Sequence, residues 1–167
     1  DLPRIEEIYD AIHTAEETGA ASVGWARGVY PTRATAQAAL DDGALFVLTD
    51  DGVLVAAGRI DRTQVPVYAQ VPWQYAAPPE QVLVLHTLVV DPAAAGHGYG
   101  TQFVHFYAQR ARALGCTVLR IDTNAKNTAA RRLYARLGFR EAAIVPCTFN
   151  GIAGVALACL EKRLDAE

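Results

Sequence analysis

The chain has no methionine, and only three of its 167 residues are cysteine: Cys116, Cys147 and Cys159. An odd count without CxxC spacing excludes a framework of paired disulfides and a zinc knuckle, and reduced thiols suit a cytoplasmic setting. No apolar run approaches the ~20 residues that cross a bilayer, and no basic stretch precedes an apolar one at the start. Neither a spanning segment nor a secretory signal is therefore expected within this sequence. Because it begins at Asp1 without a methionine, its natural start is expected upstream, which leaves room for a removed targeting segment. Charge of one sign is scarce too: 15 Lys and Arg stand against 18 Asp and Glu, a net charge of −3. That balance asks for neither a nucleic-acid backbone nor an anionic membrane as partner.

What is present is a 51% hydrophobic, 20% charged chain of a length that suits one domain over residues 1–167. Ile5, Ile8, Tyr9 and Ile12 recur at helical spacing, with Gly19 as a stop. After GWARGVYP, Thr32 can cap a short second helix that ends near Gly43. ALFVLT and VLVAAGRI flank Asp50-Asp51-Gly52 and read as a hairpin. Residues 62–81 carry Pro66, Pro72, Pro78 and Pro79 and read as a long surface loop that could border a site. VLVLHTLVV, 82–90, has the continuous apolar, β-branched character of a strand covered on both faces. Phe103, Val104, Tyr107, Ala111 and Leu114 mark a helix face, and TVLRIDTN supplies a further strand. Asn127 can cap a helix carrying Ala130, Leu133, Tyr134 and Leu137, and Asn150-Gly151 joins a final hairpin. The apolar part of its last strand, GVALACL, could pair across a homodimer.

The central feature is VVDPAAAGHGYGTQF, 89–103, in which a strand enters a glycine loop and then a helix. Such a loop offers backbone amides and a positive dipole end to an anion. A dinucleotide fingerprint fails, because Gly98 and Gly100 are followed by Gln102 and Phe103 and no acidic residue lies at the usual interval. A Walker A loop fails as well, since no lysine lies between Asp61 and Lys126.

Ala95-Gly96-His97-Gly98-Tyr99-Gly100 instead resembles the acetyl-CoA loop of the GNAT N-acetyltransferases, Gln/Arg-x-x-Gly-x-Gly/Ala. NTAARRLYARLGFRE, 127–141, resembles that family's Asn…Ala…Leu-Tyr…Leu-Gly-Phe helix, in the right order downstream. Ala95 replaces the usual Gln or Arg and His97 stands where Arg or Lys is frequent, which leaves a pyrophosphate largely to backbone amides. The resemblance implies an α/β (α+β) GNAT-like domain, a central mixed sheet of about six to seven strands flanked by helices, with a splayed central strand pair. It implies acetyl-CoA as cosubstrate, with no metal, and transfer of the acetyl group to a primary amine of a small molecule or peptide by direct attack. A CoA-binding sensor without turnover, or a transferase for a longer acyl group, would use the same loop.

Carried over by position, Leu88 and Val90 would offer backbone groups to the pantetheine arm, and the amides from Ala95 through Gly96, His97, Gly98, Tyr99 and Gly100 to Thr101 would hold the pyrophosphate. Tyr134 would protonate or hydrogen-bond the CoA sulfur. Asn127, seven residues earlier and ~10 Å along the same helix face, would touch pantetheine or serve only as a cap. His86 matches the histidine of some arylalkylamine acetyltransferases and could act as base, on a strand face shared with Val84, Leu88 and Val90. The glutamate of histone-type members is absent, since Val84 stands there, and Glu80 is a weaker candidate acting through water. Cys147 reads as a buried thiol rather than a nucleophile. His13 and His105 read as surface residues. Trp25, Tyr30, Trp73, Tyr75, Phe149 and Asn150 are the candidates for the acceptor pocket, where aromatic faces could cover an amine.

Overall fold

Both hairpin signals sit where the backbone turns left-handed, at Asp51 (φ 47°) with Gly52 (φ 78°) and at Asn150 (φ 51°) with Gly151 (φ 77°). Two consecutive positive φ angles give a tight turn whose twist matches that of the strands it joins. In the computed structural model, which describes residues 1–165, these turns connect β1 (Leu45–Asp50) to β2 (Val53–Asp61) and β5 (Arg140–Phe149) to β6 (Ile152–Arg163). Two strands, β3 (Val82–Val90) and β4 (Val118–Asn124), lie between the hairpins in sequence. The helices are α1 (Leu2–Glu17), α2 (Arg33–Asp41), α3 (Tyr99–Ala113) and α4 (Thr128–Arg136).

The six strands form one mixed sheet in the order β1-β2-β3-β4-β6-β5. Only β3 and β4 run parallel, as the crossover through α3 requires. The order corrects one expectation: β6 lies between β4 and β5, so Leu157–Leu160 of the apolar GVALACL segment is paired on both edges and has no free edge for a second copy. No described helix is long and apolar enough to cross a membrane.

One face of the sheet is covered by α3 and α4. Phe103, Val104, Tyr107 and Ala111 of α3 pack with Leu83, Leu85, Leu119, Ile121 and Leu160. Each large side chain so buried contributes roughly 1.5–3 kcal/mol. The fully buried Tyr107 places its hydroxyl 2.6 Å from Leu83 O and 3.0 Å from Arg120 O, tying α3 to the two parallel strands. The other face carries α1 and α2, whose Ile5, Ile8, Tyr9, Ile12 and Ala36 pack with Leu54, Ala57 and Val89. His13 belongs to this layer rather than to the surface: it is buried, with Nε2 2.9 Å from Pro31 O. His105 is exposed.

The proline-rich segment is also more than a surface loop. Pro66–Gln70 is a turn of 3-10 helix that drives Tyr68 and Val71 into a third cluster, with Val82, Val84, Val118, Leu157 and Cys159. Trp73 packs edge-on to Tyr68, 5.2 Å between ring centres, and lies under the Arg120 guanidinium at 4.2 Å. The fully buried Glu161 accepts the amides of Gln74 (2.8 Å) and Tyr75 (3.2 Å) and the Arg140 guanidinium (2.5 Å). A buried carboxylate needs such partners, and here they latch the segment onto the sheet.

Strand β3 holds the decisive irregularity. Its pairing with β2 shifts between Ala57 and Arg59, with Ala57 opposite Val89 and Arg59 opposite His86, so β3 carries one residue more than its neighbour. Thr87 takes a positive φ of 51° there. An extra residue reverses the alternation of side chains downstream. His86 therefore shares its face with Val82 and Val84, whereas Leu88 and Val90 pack with Leu83 and Leu85 on the α3 side. The expectation that His86, Leu88 and Val90 share one face is overturned by this bulge.

Candidate functional site

Beyond the bulge, β3 and β4 part. Their register runs from Val82 opposite Val118 to Leu85 opposite Ile121 and then stops, although both strands continue. The Asp91 amide turns toward β2, 2.8 Å from Val55 O, so by alternation the backbone groups of Val90 and Leu88 turn toward the gap. The gap opens into a cavity of about 770 Å3 lined by Leu88, Val90, Tyr134, Asn127 and the glycine loop. This is an unpaired strand edge facing a space the size of a large ligand.

The loop supplies the polar end of that cavity. Asp91 caps the turn Pro92–Ala94 through the Ala93 amide (2.9 Å) and pairs with Arg4 of α1, which anchors the exit of β3. Gly96 (φ 84°) and Gly98 (φ 76°) adopt left-handed backbone that favours glycine, and Gly98 enters α3 with no side-chain cap. The first amides of a helix have no partner within it. Here Ala95, Gly96, Gly98, Tyr99, Gly100 and Thr101 line the cavity, which gives an anion several donors and a favourable dipole end. The His97 side chain is directed elsewhere: its ring stacks on Tyr99 at 5.5 Å, and Nδ1 donates to Ala94 O at 3.0 Å or Ala95 O at 3.2 Å.

Tyr134 reaches the gap from α4. Its side chain is buried against Phe139, yet it lines the cavity. Burial, and next the nearby Asp122 carboxylate, push the phenol well above its ordinary pKa, so it stays protonated and is a hydrogen donor. Asn127 uses Oδ1 to cap α4 through the Ala130 amide (3.1 Å), and it lines the cavity as well, so the two alternatives for it are compatible.

From the other face come His86 and Asp122. His86 Nε2 lies 3.1 Å from Asp61 Oδ1. Burial would raise the Asp61 carboxyl, but hydrogen bonds from His86, the Thr63 amide and Arg59 outweigh it and hold the carboxyl far below its usual range. An anion at this position assigns the hydrogen of neutral His86 to Nε2 and leaves Nδ1 as a proton acceptor. His86 and Thr87 line both the large cavity and a second one of about 320 Å3, which also meets Tyr9, Tyr30, Thr35, Arg59, Thr63 and Asn150. The bulge is thus the wall between two chambers.

The GNAT acetyltransferase family model matches residues 3–139, most of the chain. This protein belongs to the GNAT family. Comparison with curated protein sequences gives no significant match. Among solved structures, a GNAT family acetyltransferase from Streptococcus agalactiae 2603 is similar with a TM-score of 0.82 at 20% identity, covering 99% of this chain and 91% of that one. Ribosomal-protein-alanine N-acetyltransferase from Brucella melitensis is similar at 0.70 and 19% identity, over 98% and 94% of the two chains. The yncA protein from Salmonella typhimurium, solved with its cofactor acetyl-CoA, is similar at 0.65 and 21% identity, over 100% and 92%. At these identities the likeness is one of fold, and it agrees with the six-stranded mixed sheet flanked by helices.

Within this GNAT fold, Trp25, Tyr30, Phe149 and Asn150 line the large cavity, and Tyr30 and Asn150 the small one. Trp73 and Tyr75 line neither, because the Glu161 latch and Arg120 hold them over the sheet. Glu80 is exposed at the foot of β3 and lines neither cavity. Cys147 is also outside them, and burial followed by the Asp122 charge raises its thiol pKa, the opposite of activation. Two acidic residues at the site, Asp61 and Asp122, escape a reading of the sequence alone. Asp122 had a weak signal: it is the one acid in the strand segment TVLRIDTN. Asp61 needed the β2–β3 register, which sets it beside His86.

Proposed function

We propose that this GNAT protein is an acetyl-CoA-dependent N-acetyltransferase that acts on a primary amine by direct attack in a ternary complex. The observation that carries the reading is the parting of β3 and β4, which opens the large cavity, together with a smaller chamber at the β2–β3 bulge that meets it at His86 and Thr87. The larger chamber fits the cosubstrate: amides from Gly96 to Thr101 hold the pyrophosphate, the Ala95 amide being already bonded to Pro92 O at 3.3 Å, and the free edge at Leu88 and Val90 pairs with the pantetheine amides. Acetyl-CoA supplies an activated acyl thioester, so the protein needs only to orient groups and move protons.

His86 Nδ1 takes a proton from the substrate nitrogen, and Asp61 stabilises the imidazolium that results. Tyr134 donates its phenolic hydrogen to the departing sulfur. A C–N bond forms and a C–S bond breaks; from an ammonium substrate the products are the amide, free CoA and one released proton. Buried apolar walls around the gap keep bulk water from the thioester.

Titration with acetyl-CoA in a thermal-shift assay, followed by thiol release across a panel of amines, tests this reading. Raised melting temperature together with amine-dependent thiol release is expected. Binding without release for any amine favours a CoA sensor, release only with longer acyl-CoA favours a different acyl donor, and no binding removes the assignment.

A further inference from the structure

Asp122 and His86 occupy equivalent places on the two lips of the gap. Leu85 and Ile121 are the last paired residues of β3 and β4, and His86 and Asp122 are the next residue of each. Both leave the sheet on the side away from α3, and both line the large cavity. The Asp122 carboxyl is fixed by one donor, the buried Tyr68 hydroxyl at 2.6 Å from Oδ2. Among the described residues no protein group bonds Oδ1. The charged and titratable groups near it are His86, Tyr30, Tyr68, Tyr134, Cys147 and Cys159, none of which is a permanent cation.

We propose that Asp122 is the anchor for the acceptor's ammonium group, and that the acceptor is a small organic cation with no carboxylate beside its amine. The inference rests on the acetyltransferase reading and names the class of acceptor for the same site. A carboxylate this deep is costly unless a counter-charge meets it, and a substrate ammonium in the gap would supply one. The same placement sets the nitrogen between Asp122 and His86, so that one group holds the cation while the other removes its proton.

The walls argue against an anionic substrate. Arg59, the guanidinium of the smaller chamber, already has its charge offset by two carboxylates, Asp61 at Nε (2.6 Å) and Asp42 at Nη2 (2.7 Å). The other guanidinium lining the site, that of Arg136, belongs to α4 on the opposite face of the sheet. A substrate carboxylate in the large cavity would face Asp122, and the Arg59 guanidinium of the neighbouring chamber is already balanced by Asp61 and Asp42. Trp25, Tyr30 and Phe149 line the same space, and their ring faces also favour a positive ligand. Asp122 lines the large cavity only, and the adjoining chamber that shares His86 and Thr87 with it, at 320 Å3, has the scale of a small molecule.

The test is calorimetric binding of matched amines to the protein saturated with CoA, so that it does not depend on turnover. The pairs are 2-phenylethylamine with phenylalanine and agmatine with arginine, which differ by one carboxylate. In the unmodified protein the decarboxylated member should bind at least about tenfold more tightly, and Asp122→Asn, which keeps an acceptor for Tyr68, should weaken it by about tenfold or more while CoA affinity stays the same. Equal binding within each pair, tighter binding of the amino acids, binding of neither member, or unchanged binding by a folded Asp122→Asn overturns the inference. The pairs decide even if that variant does not fold. Selective binding of the cations without acetylation would uphold the anchor and remove the acetyltransferase reading.

Discussion

The Nε2 atom of His86 and the Oδ1 atom of Asp61 stand 3.1 Å apart across neighbouring antiparallel strands, with Asp61 further fixed by Arg59 and the Thr63 amide. The carboxyl pKa is lowered in the folded protein, so its ionised form stabilises the fold. That contribution is complete above the unfolded-state value near ~4 and is lost as the pH falls through the lower folded value. Asp61→Asn should therefore melt at a lower temperature than the unmodified protein at pH 7, with the difference narrowing as the pH falls below about 4. Melting curves across this range check the sign.

Tyr134→Phe removes the hydroxyl at the gap and leaves the ring packed against Phe139. Turnover should fall by about 100-fold or more, as for loss of a general acid, while the acetyl-CoA dissociation constant stays within about threefold. Steady-state kinetics alongside calorimetry separate the two. Equal loss of affinity and turnover would instead make the tyrosine a packing residue.

Gly24 links the loop after α1 to the end of β4. Its φ is 78°, and a Cβ added there would lie 2.2 Å from Nδ2 of Asn124. Gly24→Ala meets a backbone cost of roughly 1–2 kcal/mol before the displacement of Asn124 is counted. At about 2–4 °C per kcal/mol for a chain of this size, a melting temperature lower by several degrees is expected in scanning calorimetry.

Glu161→Ala would leave the Gln74 and Tyr75 amides and the Arg140 guanidinium without their acceptor. Breaking a buried charge network in this way costs about 3–5 kcal/mol. Urea denaturation should show that loss, and limited proteolysis should cut first within residues 62–81, because the proline segment loses its latch.

Much of this architecture can be read from local signals. The alternation and turn chemistry of Asp51-Gly52 and Asn150-Gly151 place both hairpins, the apolar run Val82–Val90 is β3 to the residue, and Asn127 caps α4 where expected. The remainder depends on partners distant in sequence. Nothing in Pro66–Gln70 announces that Tyr68 will be buried, because its reason is Asp122, more than fifty residues downstream. The bulge at Thr87 hides inside an unbroken apolar run, where no change of residue type marks the reversal of faces. The insertion of β6 between β4 and β5 is a matter of topology that strand composition does not encode.

That bulge makes one strand into two design regions. Upstream of Thr87, side chains at Val82, Val84 and His86 face the proline segment and, on the proposed function, the acceptor; downstream, the edge at Leu88 and Val90 faces the large cavity proposed for the cosubstrate. Acceptor preference can therefore drift, or be engineered, through the first half of β3 and its partners Arg59 and Asp61, while the donor half stays unchanged. A single supernumerary residue gives selection two separate handles on one β-strand.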